Sequence, residues 1–439
     1  MPHPSALSRF GLAAALAAAG RPVAAQHVHA PDDSTHRAHA AVGAQAVVGG
    51  TRLTNALDGR TRSEGYVSQP ALMGHAALAD GHVSVVGTLN LEGLTMRRGE
   101  LLGGVYGEGY VDRRHPHTLL HEAMAAVQGA HAGVAASLAA GKGFVPFGTD
   151  DPMMRPFERY PVNHHLAQIL ERAVAIAALR VPHALVEAAT FNGDEPAGPW
   201  AWPRWSRFGD SWATRLTVDA RRLELAASAA NVRQPENPDG GGLDQRKVSA
   251  AARWTSGASL GMPGGSGTYA LVEWARTDWM RGGRRVRQPG YRAASVLAEG
   301  GVRRRGVEVV ARAERTGRQE EERLVDPFRA VRPAPDVSIL GLTEWRVLTL
   351  GVAVPRAVGH GAATLRVSPF VEASVLSPRA VVRPAVFDPA SFYGASRLTA
   401  LTAGVRLGAG MRHERMGRYG VAEPPHAPSR AMPPMVGMP

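Results

Sequence analysis

The 439-residue chain has no cysteine, so it can build neither a disulfide scaffold nor a thiolate metal site. Lysine is nearly missing as well: Lys142 and Lys247 are the only two, so the excess of 50 basic over 38 acidic side chains rests on arginine. Those arginines are scattered, with dense groups only at Arg284–Arg287 and Arg303–Arg305. A nucleic-acid partner is thereby excluded, because a phosphate backbone requires basic groups gathered on one face. Aromatics make up only 6% of the chain. No uninterrupted apolar run reaches the ~20 residues that a spanning helix needs. The nearest stretch, Ala123–Gly141, is broken by Gln128, His131 and Ser137. An apolar content of 44% with mixed charge also excludes wholesale disorder.

The N-terminus has the order of an export signal. Arg9 precedes the apolar run Phe10–Ala19, and Pro22–Ala25 ends in small residues before Gln26. Residues 1–25 are therefore read as a signal peptide, and the remainder as an exported protein.

Along the rest of the chain the recurring pattern has period two. Val83, Val85, Leu89 and Leu91 oppose Ser84, Thr88, Asn90 and Glu92. Val307, Val309, Ala311 and Ala313 oppose Glu308, Arg312 and Glu314. Leu365, Val367, Val371 and Val375 oppose Arg366, Ser368, Glu372 and Ser374. Leu401, Ala403, Val405 and Leu407 oppose Thr402, Gly404 and Arg406. Weaker runs of the same kind include Gln168–Arg180, Ala184–Phe191, Arg222–Val232 and Thr268–Trp279. Such alternation specifies strands with one apolar and one polar face. The runs are longer than the ~5–6 residues usual in globular sheets. Some are joined by two to four residues, others by long charged segments such as Arg318–Pro335.

A soluble β-sandwich also alternates, but length, export and charge on one face favour a different solution. A tilted strand crosses a bilayer in ~9–11 residues, and the absence of water forces every backbone group to pair, which closes the sheet. The sequence thus predicts an all-β, antiparallel transmembrane β-barrel of about 12–16 strands in the outer membrane. Its expected divisions are a His-rich flexible segment at 26–70, a barrel at 71–410 and a Pro- and Met-bearing tail at 411–439. Glu92, Glu224, Glu308, Arg312, Glu314, Arg366, Glu372 and Arg406 are expected on the lumenal face. There, mixed charges would set the selectivity of a passive channel for small polar solutes. The expected partners are outer-membrane lipid and such solutes; the sequence leaves the oligomeric state open, and the function requires no cofactor.

At Gly141–Gly148 the chain reads GKGFVPFG. This resembles the strand-end motif of phosphate-selective and related porin-like outer-membrane proteins, in which such a run leads into a loop. The resemblance implies a passive pore for small anionic or polar solutes, with Lys142 as a lumenal basic residue. It also implies a last strand ending on an aromatic residue; here Tyr419, within the tail, is the residue that would close the barrel.

The histidines suggest a second reading. His27, His29, His36 and His39 crowd around Asp32 and Asp33, and imidazole with carboxylate suits Cu(II), Ni(II) or Zn(II). Met411, Met416, Met432, Met435 and Met438 would suit Cu(I). Together they faintly resemble copper-resistance outer-membrane proteins, which makes a copper-type or other divalent metal the candidate ligand; the plainer alternative is a solvated terminus. In DRRHPHTLLHE, a helix opened by Pro116 would place His117 and His121 on one face as metal ligands, whereas a strand would remove that logic. A periplasmic enzyme using this cluster ranks third, since no nucleophile elbow, phosphate loop or dinucleotide fingerprint accompanies it. The segment Thr149–Pro161, with Asp150, Asp151, Arg155, Glu158 and Arg159, fits either a loop folded into the pore or a solvated surface loop. Trp200, Trp202, Trp205, Phe208 and Trp212 read as an interfacial belt, with a sugar-stacking platform as the alternative.

Overall fold

The computed structural model describes residues 38–423 apart from 56–60, 96–117, 150, 197–199, 236–241, 258–259, 261–265, 282–287, 322–338, 360–363, 382–387 and 412–414. The export signal, His27, His29, His36, Asp32, Asp33 and His117 lie outside the described residues.

The strands run β1 (Ala38–Leu53), β2 (Arg62–Leu78), β3 (Val83–Asn90), β4 (Leu120–His131), β5 (Val134–Gly143), β6 (Arg172–Val181), β7 (Ala184–Phe191) and β8 (Ser211–Ala220). They continue with β9 (Leu223–Val232), β10 (Asp244–Gly257), β11 (Gly267–Arg281), β12 (Gln288–Arg304), β13 (Val307–Glu321), β14 (Ile339–Ala353), a three-residue β15 (Arg356–Val358), β16 (Leu365–Ala380) and β17 (Leu398–Gly410). Each long strand pairs antiparallel with its chain neighbours, β14 with β16, and β17 with β1 in register from Gly43↔Gly410 to Leu53↔Ala400. Sixteen long strands therefore close into a barrel with no open edge, at the upper end of the expected number.

The alternation has the predicted sense. On β13, Glu308, Arg312 and Glu314 are buried inside while Val307 and Val309 are exposed outside. On β16, Ser368, Glu372 and Ser374 are buried while Leu365, Val371 and Val375 are exposed. An apolar outer wall around a charged interior is the reverse of a soluble protein, and it is stable only where hydrocarbon bathes the outside. No helix among the described residues is long and apolar enough to cross a membrane.

Connections segregate by length. Ala132–Gly133 and Arg305–Gly306 join their strands in two residues, all four with positive φ, the backbone of the tight hairpin turn. The connections from β3 to β4, from β5 to β6 and from β7 to β8, each of nineteen residues or more, leave from the other end.

The boundaries drawn from the sequence need correction at both ends. The barrel begins at Ala38 rather than at residue 71, because β1 and β2 occupy most of the segment read as flexible. Both strands are rich in Ala and Gly, so their alternation has little contrast. At the other end, residues 415–423 are neither a strand nor a solvated tail. Met416, Arg418, Tyr419, Gly420 and Ala422 are buried inside the barrel. Gly410, at φ 65°, turns the chain out of β17, and the Met411 N–H donates to Val42 O at 2.8 Å. Tyr419 therefore does not close the barrel; the last strand ends on a glycine.

Candidate functional site: a lumen filled by a loop and a C-terminal segment

The connection between β5 and β6 leaves the wall at Gly143 and runs buried through Phe144, Val145, Phe147, Met153, Phe157, Tyr160 and Ile169 before returning at Arg172. The GKGFVPFG motif thus marks the point where the chain folds into the pore. Gly148 is the hinge: its φ is 70°, and a Cβ there would collide with Ala167 O. Its N–H donates to Ser228 Oγ on β9 at 2.8 Å. Asp151 then caps a short turn by accepting the Met153 N–H at 2.7 Å, and α2 (His164–Ala167) completes the excursion. His164 is buried there and stacks on Tyr160, with ring centroids 5.3 Å apart. Of the run Gln168–Arg180, only the part from Arg172 is strand.

The loop crosses to the far wall, where charged groups hold it. Glu273 on β11 accepts from the Thr149 hydroxyl, from Asn163 Nδ2 at 2.6 Å and from Arg155 Nη2 at 3.3 Å. Glu372 on β16 accepts the consecutive N–H groups of Glu158 and Arg159 at 3.0 and 3.1 Å. Glu314 on β13 accepts the Val162 N–H at 2.7 Å. Arg312 bridges Glu299 on β12 (2.7 Å) and Arg159 O (2.6 Å), with its guanidinium 4.0 Å above the Phe157 ring. Arg406 donates to Pro156 O at 3.0 Å and lies over Phe370. Arg312, Glu314, Glu372 and Arg406 do project inward as read from the sequence, but each bonds the inserted loop. Of the two readings of Thr149–Pro161, the pore loop is the one that holds.

The remaining predicted lining residues divide differently. Glu308 is buried on β13, in register with Arg303. Arg366 is inward near the turn end, donating to Gly410 O at 2.7 Å. Glu92 is buried, but it lies in α1 (Glu92–Thr95) rather than on a strand, and accepts the Gln69 N–H at 2.7 Å. Lys142 departs from the expectation. It is in register with Ala123 and Ala173, off the inward row of Met124 and Gly141, and its ammonium donates to the Thr118 hydroxyl and Leu120 O. It is a clamp at the strand end, not part of the charged lining.

His121 also differs from its expected role, because the described part of its segment is strand and not helix. A bulge on β4 between the Leu89 and Thr88 partners places the adjacent His121 and Glu122 both among the buried residues. The His121 ring bonds Glu171 and faces Asp151 Oδ2 at 3.8 Å, so both limbs of the inserted loop meet on one imidazole. Thr118 N–H adds a bond to Glu171 at 2.9 Å. His39 is exposed at the turn end of β1. Among the described residues no three of His, Asp and Glu are grouped to hold a metal ion, and the metal-handling alternative gains no support.

The C-terminal segment fills the lumen on the β4–β9 side. Glu187 on β7 takes Arg215 in a two-toothed bond (2.7 and 2.8 Å) and Arg418 at 3.3 Å. Glu224 on β9 binds Arg415 at 2.8 Å and lies 3.7 Å from Arg418. Arg215 also reaches Gly417 O, at 3.3 Å, and Gly148 O, at 3.5 Å, tying both insertions to the wall. The Phe144 N–H donates to the Tyr419 hydroxyl at 3.0 Å, and Glu423 pairs with His75 at 3.4 Å. At the loop end, α3 (Pro389–Tyr393) lays Tyr393 edge-on to Trp345, with centroids 6.1 Å apart.

The chain is a closed transmembrane β-barrel. No protein-family model matches the sequence, and no curated protein is detectably similar to it in sequence. In structure it is similar to an anion-selective porin from Comamonas acidovorans, at 10% identity and a TM-score of 0.47, over 84% of this chain and 99% of that one. It is similar also to OmpF of Salmonella typhi in complex with daunomycin (9%, 0.46, 85% and 97%) and to OccK3 of Pseudomonas aeruginosa (10%, 0.36, 85% and 95%).

Several residues of this site escaped the sequence reading. Glu187 and Glu273 lie within the weaker runs Ala184–Phe191 and Thr268–Trp279, Arg215 and Glu299 lie on β8 and β12, and the signal that could have found all four is their parity with buried neighbours. The aromatic group Trp200, Trp202, Trp205, Phe208 and Trp212 is 41–69% exposed at the loop end of β7–β8, where an interfacial belt belongs.

Glu158 carries a pH dependence. Burial pushes its carboxyl from the usual 4.5 up to about 7, opposed by Arg406 and by the hydroxyl of Ser68, which donates at 2.5 Å, and reinforced by Glu372 and Glu92. The folded protein thus holds this proton more tightly than the unfolded chain does. The stabilisation is full below about 4.5 and is lost as pH rises through about 7. The unfolding temperature in detergent is therefore expected to fall between pH 5 and 8. Glu158→Gln, which keeps an acceptor for Ser68, is expected to flatten that slope; an unchanged slope would assign it to another group.

Proposed function

We propose that the barrel is a passive channel for small polar or anionic solutes, and that it performs no covalent chemistry. The observation that carries this reading is the β5–β6 loop drawn across a charged lumen and seated on Glu273, Glu314, Glu372, Arg312 and Arg406. Such a loop narrows a barrel without closing the backbone path, and opposed charges at the narrowing select by local field rather than by tight binding. An enzymatic role for His121 has little support, since its ring is engaged by two carboxylates that latch this loop. The test is conductance across a planar bilayer. Discrete ohmic steps are expected, with a reversal potential in a salt gradient that reports which sign of ion passes more easily. An absence of steps from correctly folded protein would overturn the channel reading.

A further inference from the structure

The outer wall carries charge where hydrocarbon would forbid it. On three neighbouring strands the outward rows run from apolar to basic toward the loop end. On β14 the row is Val352, Leu350, Leu348, then Arg346 and Glu344; on β13 it is Val309, Ala311, Ala313, then Arg315; on β16 it is Val371, Ala373, Val375, Ser377, then Arg379. An arginine at the bilayer midplane costs about 2–4 kcal/mol and near the interface little, so this change marks the level of the head groups.

There the three arginines converge on one carboxylate. Glu344 accepts from Arg315 at 2.8 and 2.6 Å, from Arg346 at 3.1 Å, and from Arg379 at 3.0 and 2.8 Å. Three guanidinium groups on one carboxylate leave a net charge of 3 − 1 = +2. Glu344 is only 12% exposed, whereas the arginine side chains are 54–62% exposed. The pattern repeats beside it, where Arg276 and Arg292 share Asp278 on the outer face of β11 and β12. The carboxylates act as pins that hold guanidinium groups together against their mutual repulsion.

We propose that the Arg315–Arg346–Arg379 cluster is a binding site for the phosphate-bearing head group of an anionic lipid in the leaflet on the loop side. The clustered forks suit phosphate oxygens. The rows of Leu and Val directly beside the cluster offer the acyl chains their place, which a free phosphate ion would not use. This site lies on the opposite face of the wall from the lumen and stands whether or not the pore conducts.

The test titrates the barrel, folded in neutral detergent, with phosphatidic acid, with phosphatidylcholine of the same chains, and with inorganic phosphate, reading the temperature at which the folded form loses its gel mobility. Phosphatidic acid is expected to raise that temperature, and the other two are not. At about fivefold per arginine, the variant R315Q/R346Q/R379Q is expected to bind about a hundredfold more weakly. Should the triple variant fail to fold, Arg346→Gln, which removes a single bond to Glu344, is expected to bind about fivefold more weakly. Equal binding by wild type and either variant would overturn the proposal. So would phosphatidylcholine matching phosphatidic acid, or inorganic phosphate alone reproducing the shift.

Discussion

Glu273→Ala is expected to unseat the inserted loop, raising single-channel conductance severalfold and making the current noisy. This carboxylate is fully buried and takes three donors from the loop, Thr149, Arg155 and Asn163. After its removal Arg155 still pairs with Glu299 at 3.6 Å. Breaking a buried ion pair from one side costs about 3–5 kcal/mol. The barrel need not unfold, because its ladder of backbone bonds does not pass through this side chain; the loss falls on the loop, which is the less stable unit. Glu273→Gln keeps an acceptor and is expected to conduct closer to wild type. Planar-bilayer recording decides the matter, and wild-type conductance in Glu273→Ala would mean that the loop is held elsewhere.

The second large effect is expected from ending the chain at Met411. This removes Arg415, Arg418 and Tyr419 from the lumen and opens the β4–β9 side. Conductance is expected to rise severalfold, and combination with Glu273→Ala is expected to depart from additivity, since Arg215 holds both insertions and Phe144 of the loop bonds Tyr419. Glu187 keeps its two-toothed bond to Arg215, so the wall retains its partner there. Glu224 loses Arg415 and Arg418, and with them the lumen loses two positive charges beside that carboxylate. Ion preference should therefore shift toward cations, visible as a displaced reversal potential. Arg418→Ala alone tests the same contact with less disruption, leaving Glu187 to Arg215. If the truncated protein folds and conducts as the full chain does, the segment does not obstruct the path.

The legibility of this protein varies with how local the information is. On β13, β16 and β17 the strands, their faces and the inward residues Glu308, Arg312, Glu314, Arg366, Glu372 and Arg406 could all be read, because alternation with strong contrast needs only neighbours. On β1 and β2 the same rule failed: small residues serve on both faces, and the register of β1 against β2 shifts by a bulge between Gln45 and Val47. Lys142 was misplaced because it was read from a motif and not from parity: in register with Ala123 and Ala173, it alternates with the inward Gly141. His121 was misjudged because its partners, Glu171 and Asp151, are distant in sequence and reach it only through the loop.

Period-two alternation in long runs by itself determined that this chain is a β-barrel with a charged interior, since one face in lipid and one in water must be written into the residues themselves. Only the tertiary structure decided what fills that interior. A carboxylate such as Glu187 or Glu372 reads the same in sequence whether it meets water, a loop amide or an arginine from the chain's far end. Which of these it meets is settled by closure of the barrel, which brings segments far apart in sequence into a single low-dielectric space where an unpaired charge is costly.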